Sequence, residues 1–271
     1  MKKIFIVILV LCAGVSLNAQ DSTSVRPVSK TNSKADRKAE KRQRIDAIAR
    51  QEEEGNLSYH KQSVFGVELR TTGYGIFYEL GKRKSVRSGN LYLLELTEIK
   101  HRKEEKLGGD QFFSNSFVYG KENNFYQAKL GFGRQYILGQ KGNKNGVAIT
   151  LNADGGLDLG LLKPYYLDVK DPVHGDRSIK YEDDPALFMS VGNIYGSSGF
   201  TKGWSEIKVK PGAFLRAALR FDFGRYNESV QAMEIGVSTE AFAEKIPILV
   251  NYDHRQLFTQ IHIAFVFGGR K

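Results

Sequence analysis

The sequence predicts an all-β protein: a closed antiparallel transmembrane β-barrel of about eight strands, preceded by a short helical or disordered basic arm. Three observations carry that expectation. From residue 62 onward, apolar and polar residues alternate with period two, in segments longer than ordinary strands. The polar faces of these segments mix Gly with Asp, Glu, Arg and Lys. The connections between segments are short on one side and longer on the other.

Whole-chain averages conceal this pattern. The 271 residues carry a formal net charge of +10, with 41% apolar residues, and the mean hydropathy is −0.37. Such values describe a basic, soluble globular chain and exclude collagen-like, coiled-coil and disulfide-framework classes. Two features of the composition fit poorly: 28 Gly, and an aromatic set of 17 Phe, 13 Tyr and one Trp.

The N-terminus reads MKKIFIVILVLCAGVSLNAQ. Lys2 and Lys3 form a positive region and Ile4 to Leu11 an apolar one. Ala19 closes a small-residue segment, with Gln20 as the mature start. That is the layout of a secretory signal peptide, so residues 1–20 are expected to be removed. Cys12 lies within the apolar stretch behind Leu11, which is the wrong neighbour for lipidation. It is expected to leave with the peptide, so the exported chain has no disulfide.

Residues 21–61 read as a basic periplasmic arm. Arg26, Lys30, Lys34, Arg37, Lys38, Lys41, Arg42, Arg44 and Arg50 face only Asp36, Glu40 and Asp46, a net +6 between Arg26 and Arg50. Val28, Ile45 and Ile48 are too few to build a core. Acid and base spacing over residues 34–54 suits a marginal helix ending at Gly55. Basic stretches often meet nucleic acid. For an exported chain, anionic lipid or cell-wall polymer is the fitting partner, and no nucleic acid is expected.

The strands follow in order. Phe65, Val67 and Leu69 oppose Gly66, Glu68 and Arg70. Tyr74 to Leu80 follows, then Leu91 to Lys100, where Tyr92, Leu94 and Leu96 oppose Leu93, Glu95 and Thr97. From Tyr126 to Tyr136, Tyr126, Ala128, Leu130 and Phe132 oppose Gln127, Lys129, Gly131 and Gly133. The clearest segment is Val147 to Leu162, with Val, Ile, Leu and Ala on odd positions and small, polar or acidic residues on most even ones. Ile207 to Asp222, Met233 to Ala243 and Leu257 to Phe267 repeat the pattern. Pairing of Phe112–Tyr119 and Leu187–Tyr195 would raise the count to ten.

A soluble barrel hides its apolar face inside, whereas a membrane barrel turns it to lipid around a polar lumen. Strand lengths past 10 residues suit a tilted crossing, and a narrow lumen explains the Gly-rich polar face. Gly81–Asn90, Gly139–Gly146 and Phe223–Glu228 are short connections on one side. On the other lies a long loop, residues 163–206, with tight or modest connections at Gly73–Gly75 and Pro247–His254. Tyr136, Phe221, Phe223, Tyr226, Phe265 and Phe267 fall at the short-turn end, and Tyr126, Tyr165 and Tyr166 at the long-loop end, as two aromatic girdles would. An even strand number places both termini in the periplasm.

A leader ending in NAQ, a polar arm and amphipathic strands closing on IAFVFGGRK resemble the uncharacterised outer-membrane β-barrel proteins of Bacteroidota. The stretch FGVELRTTGYGIFYELGKR, followed by a strand ending in Lys100, His101, Arg102, Lys103 and Glu104, is similar to a recurrent pattern of that group. The resemblance covers the leader and residues 62 to 268. It implies fold and location, the outer membrane of a Gram-negative bacterium. It implies no activity and no functional residue.

The inner face collects Glu68, Arg70, Glu79, Glu95, Lys129, Asp154, Asp158, Arg216, Arg220, Glu234, Glu240 and His262. An eight-stranded interior is about wide enough for its own side chains, so these charges are expected to pair as a structural plug; the alternative is a gated path for a small solute. Lipid A modification is a further alternative, since His101, His174 and His254, with Ser190, Ser197 and Ser198, fall in or beside the longer connections. They form no recognisable motif. Tyr181–Glu182–Asp183–Asp184 lacks the spacing of a calcium loop. No cofactor and no metal site is expected. The reading is a structural, anchoring or accessory barrel, whose partners are outer-membrane lipid, lipopolysaccharide and other envelope proteins.

Overall fold

Eight long strands pair in a closed ring. They are β1 (Lys61–Arg70), β2 (Gly73–Arg83), β3 (Ser88–Ile99), β6 (Asn123–Gly139), β7 (Ala148–Pro164), β11 (Lys208–Asp222), β12 (Ser229–Ile246) and β13 (Arg255–Arg270). Two-residue strands β4 (Lys106–Leu107) and β5 (Phe117–Val118), and the strands β8 (Leu167–Asp171), β9 (Gly175–Ile179) and β10 (Ile194–Ser197), lie in the connections. The structure, a computed structural model, describes residues 42–43, 59–108, 115–142, 145–226 and 228–271. The expected signal peptide and all of the arm except Arg42, Gln43 and residues 59–61 lie outside the described residues.

Each barrel strand is antiparallel to both neighbours, and the ring order is β1-β13-β12-β11-β7-β6-β3-β2. Closure comes from β1 against β13, in register from Gln62 opposite Arg270 to Arg70 opposite His262. Backbone bonds extend the seam past the strand ends: His60 and Lys61 N–H donate to the Lys271 carbonyl at 2.8 and 2.7 Å, and Lys271 N–H returns to Lys61 at 2.8 Å. Full closure removes the open edges that would otherwise leave backbone groups unpaired.

Side-chain alternation sets which face is inside. Leu157 on β7 is 67% exposed and Leu215 on β11 is 72% exposed, and Phe65, Leu94, Phe132, Ile263 and Phe265 share that outer surface. Glu79, Lys129, Asp158, Glu234 and Glu240 are completely buried within. The apolar face is therefore outward and the charged face inward, the inverse of a soluble barrel. Inward glycines make room for rings on neighbouring strands. A Cβ at Gly66 would lie 2.2 Å from the Phe77 ring, and one at Gly131 would lie 2.8 Å from Phe214.

The barrel has eight strands, not ten. Of the expected segment 112–119, residues 115–119 are described, and among them only Phe117 and Val118 form a strand, which pairs with β4 in a separate ribbon. Leu187 and Phe188 end a short helix, α1 (Pro185–Phe188), and β10 joins β8 in a second sheet of order β10-β8-β9. Both segments pack on a core of their own, so neither is available to the barrel wall. Strands also outrun the apolar alternation: β12 spans 18 residues and β13 takes in Gly268, Gly269 and Arg270. Hydrogen bonding continues where the outer face turns polar, a boundary that hydropathy does not mark.

The long connection is a folded crown. Leu167 and Val169 of β8, Ile179 of β9, Phe188 of α1, Ile194 of β10 and Phe117 of β5 form one buried apolar cluster. Asp184 caps α1 by accepting the Leu187 N–H at 3.0 Å, the usual way to satisfy an exposed helix start. At the β8–β9 turn, Asp171 accepts Val173 N–H at 2.8 Å and Arg177 Nε at 2.7 Å. These bonds hold its carboxyl well below the usual range.

Candidate functional site: a charge network sealed inside the barrel

All twelve inner-face residues named from the sequence lie within the barrel, and ten of them form one ion-pair network. On β11, Arg216 bonds Glu234 and reaches Glu79 at 3.3 Å and Glu95 at 3.4 Å. Four residues further along the same face, Arg220 contacts Glu79 and Glu234, each at 2.6 Å. On β1, Arg70 meets Glu240 at 2.5 Å, Glu68 at 3.5 Å and Glu95 at 3.6 Å. Lys129 on β6 contacts Glu95 at 2.8 Å and Glu240 at 2.9 Å. His262 Nε2 lies 3.6 Å from Glu234. Glu95 thus joins the Arg70–Lys129 half to the Arg216–Arg220 half. Rings add to the pairing: the Arg216 guanidinium lies 4.8 Å from the Phe77 centroid and the Lys129 amine 5.5 Å from that of Phe214.

Asp154 and Asp158 stand apart. Asp154 is directly opposite Arg216 in the β7–β11 register, and Asp158 is opposite Lys129 in the β6–β7 register. Both cations turn to glutamates of other strands, and neither aspartate has a hydrogen-bond partner. Seven acidic side chains therefore share four Lys and Arg. Removing an ion from water costs several kcal/mol unless a partner repays it, so these two positions are where the network is weakest.

Apolar clusters pack with the network. Toward the long-loop end, Phe125, Leu162, Phe242 and Ile246 pack with Phe258, and Phe125, Phe242 and Phe258 stand with ring centroids 5.3 to 6.0 Å apart. A second cluster runs from Val64, Val230 and Val266 near the short turns to Phe77, Leu93 and Phe214 among the charges themselves. Beyond it is a smaller polar group that sequence reasoning missed. Asp222 meets Arg270 at 2.6 Å and Lys141 at 3.4 Å, and Arg270 Nε donates to Gln62 at 3.1 Å. Asp222 was on the inner-face pattern, but Arg270 reads as a tail residue. Only the strand extension brings it inside.

The loop histidines and serines do not come together. His101 stacks on Tyr252 at 5.2 Å, and burial beside Arg255 lowers its pKa. His174 pairs with Asp171 at 3.0 Å at a hairpin tip. Ser198 donates to Asp168 at 2.5 Å, and Ser190 accepts from Asn193 at 3.1 Å. None of these contacts pairs a serine with a histidine. In the acidic run, Glu182 pairs with Lys208 at 2.5 Å, Asp183 accepts the Lys180 N–H, and Asp184 is the helix cap. Tyr165, placed in a girdle by the sequence, packs against the crown core and accepts Val118 N–H at 3.1 Å.

No family model matches the sequence, and no curated protein matches it. Among solved structures, the chain is similar to Ail, the attachment invasion locus protein of Yersinia pestis, in complex with the heparin analogue sucrose octasulfate. The identity is 10% and the TM-score 0.38, over 79% of this chain and 100% of that one. It is also similar to Neisserial surface protein A (NspA), at 8% identity and TM-score 0.36, over 78% and 96%.

Proposed function

We propose that this chain is an outer-membrane β-barrel of a Gram-negative envelope, with a structural and interaction role rather than a transport or catalytic one. The observation that carries the reading is the inversion of the wall: an apolar, aromatic-rimmed belt outside and a paired charge network inside. Such a belt is stable against lipid and not against water. The barrel is an anchor, and the crown is the part presented to partners. Both ends of the chain's barrel leave at the short-turn side, so the crown faces the cell surface and the arm Arg26 to Arg50 faces the periplasm. There the arm meets anionic lipid or cell-wall polymer. Export by residues 1–20 and kinship with the Bacteroidota barrels belong to the same proposal.

The channel alternative is opposed by the mutual pairing of the inner charges and by the apolar cluster of Phe125, Leu162, Phe242 and Ile246 above them, and the enzyme alternative by the absence of a serine–histidine pair among the described residues. A membrane-impermeant thiol reagent added to intact cells tests the orientation through single cysteines, Val173→Cys in the crown and Arg50→Cys in the arm: labelling at position 173 with position 50 spared supports it, and the reverse overturns it. Planar-bilayer recording of the purified protein tests the plug. The expected result is no steady current; a stable open conductance would refute it.

A further inference from the structure

One part of the crown leaves its own core and lies on the outside of the wall. After β10 the chain descends through Ser198–Glu206. Trp204 opens a short 3₁₀ turn, Trp204–Glu206, and stacks at 5.9 Å on Tyr126, an outward residue of β6. Phe200 meets Trp204 edge-on at 5.1 Å. Lys163, outward on β7, is covered by this strap. Its amine donates to the Phe200 carbonyl at 2.5 Å and lies 4.5 Å from the Phe200 ring and 5.0 Å from that of Trp204. Gly203, with φ +86°, lets the strap lie flat, since a Cβ there would sit 2.8 Å from the Pro164 carbonyl.

This seating leaves Phe200 63% and Trp204 44% exposed, whereas Leu167, Val169, Ile179, Phe188 and Ile194 of the crown core are buried. The exposed rings continue the outer belt at its long-loop rim, where Tyr74 and Tyr126 also face outward. Ammonium groups accompany them: Lys202 lies 5.9 Å from the Tyr166 ring and Lys100 lies 4.9 Å from that of Tyr74. Trp, Tyr and Lys together are the composition of a membrane–water boundary, with amphipathic rings at headgroup depth and amines reaching phosphate.

We propose that residues 198–206 form an interfacial anchor, which docks the crown onto the headgroup layer of the lipid bilayer through Phe200, Trp204 and Lys202. The inference rests on the membrane reading of the barrel and adds where the crown meets lipid. Trp204 is the sole tryptophan of the chain, so its fluorescence reports the site directly. The full chain is folded into phosphatidylcholine vesicles with acyl chains brominated either near the headgroup or near the chain ends. A second protein, Leu157→Trp with Trp204→Phe, places the reporter at mid-wall. Headgroup-proximal bromines are expected to quench Trp204 roughly twofold, and chain-end bromines little, as suits an interfacial ring. The mid-wall reporter is expected to show the opposite order. If that reporter is quenched while Trp204 stays open to aqueous iodide and indifferent to bromines, the anchor is refuted and the barrel reading stands. If neither reporter senses the bilayer, the membrane reading fails and the anchor with it.

Discussion

The barrel interior and the crown bury side chains in opposite ways. The interior holds Arg70, Lys129, Arg216 and Arg220 at under a tenth exposed among glutamates, while the crown hides Leu167, Val169, Ile179, Phe188 and Ile194 from water. The difference follows from what surrounds each. A crown in water gains by burying apolar surface, roughly 25 cal/mol per Å². A barrel wall in lipid gains nothing from that and must satisfy its polar groups internally. Ion pairs packed among apolar clusters therefore specify the interior, and apolar packing the crown, and mutations should separate them.

The largest effect is expected from Arg216→Ala. It strips Glu79, Glu95 and Glu234 of a shared partner, and breaking such a buried pair costs about 3–5 kcal/mol. The midpoint of denaturant unfolding in detergent should fall accordingly, with the crown's protease resistance unchanged. Phe188→Ala is the mirror experiment. Loss of a core ring costs about 3–5 kcal/mol, but here the crown alone should open to protease while the barrel keeps its denaturant midpoint. A shared loss in both would show that crown and barrel fold as one unit.

Leu157→Arg touches neither core. It sets a charge on the outer belt, at a cost of about 2–4 kcal/mol at mid-bilayer, read as reduced folding yield into vesicles. Normal folding would break the claim that this face meets lipid. Asp158→Asn probes the unpaired positions. Replacing a buried carboxylate without a hydrogen-bond partner by an amide of the same shape is expected to stabilise by about 1–2 kcal/mol, in contrast to changes at the paired glutamates.

The smallest effect concerns acid and the crown's surface pairs. Lys180 holds Glu206 low, and Lys208 holds Glu182 low. A carboxylate depressed on folding adds stability above its unfolded pKa and loses it as pH falls through the folded value. Crown stability should thus decline on acidification below the ordinary glutamate range. These pairs are half exposed, so each is worth at most about 0.5 kcal/mol after screening. High salt at neutral pH should mimic the loss.

Much of the barrel was legible in the primary structure because a strand has an exact period of two. Val147 to Leu162 announces which residues face in, and β7 obeys it from Ala148 to Leu162. The same rule placed Glu68, Arg70, Glu95, Lys129, Asp154, Asp158, Arg216, Arg220, Glu234, Glu240 and His262 on one face. It could not say that Arg216 would turn from Asp154, its register neighbour, to Glu234, Glu79 and Glu95. That choice is made across the lumen, between strands far apart in sequence, where several carboxylates compete for one guanidinium.

The crown was hidden for a different reason. Residues 165–207 have short strands of mixed polarity, so no period stands out. Leu167, Val169, Ile179, Phe188 and Ile194 become a core only once β8, β9, β10 and α1 have packed. Trp204 carried no signal either, because its position on the outer wall depends on where the strap lands against Tyr126 and Lys163. The sequence by itself determined which face of each strand is apolar, since that is a local property of alternating side chains. Only the tertiary structure decided which charges pair, how the long connection folds and where it touches the wall, because those outcomes arise from contacts that no local pattern encodes.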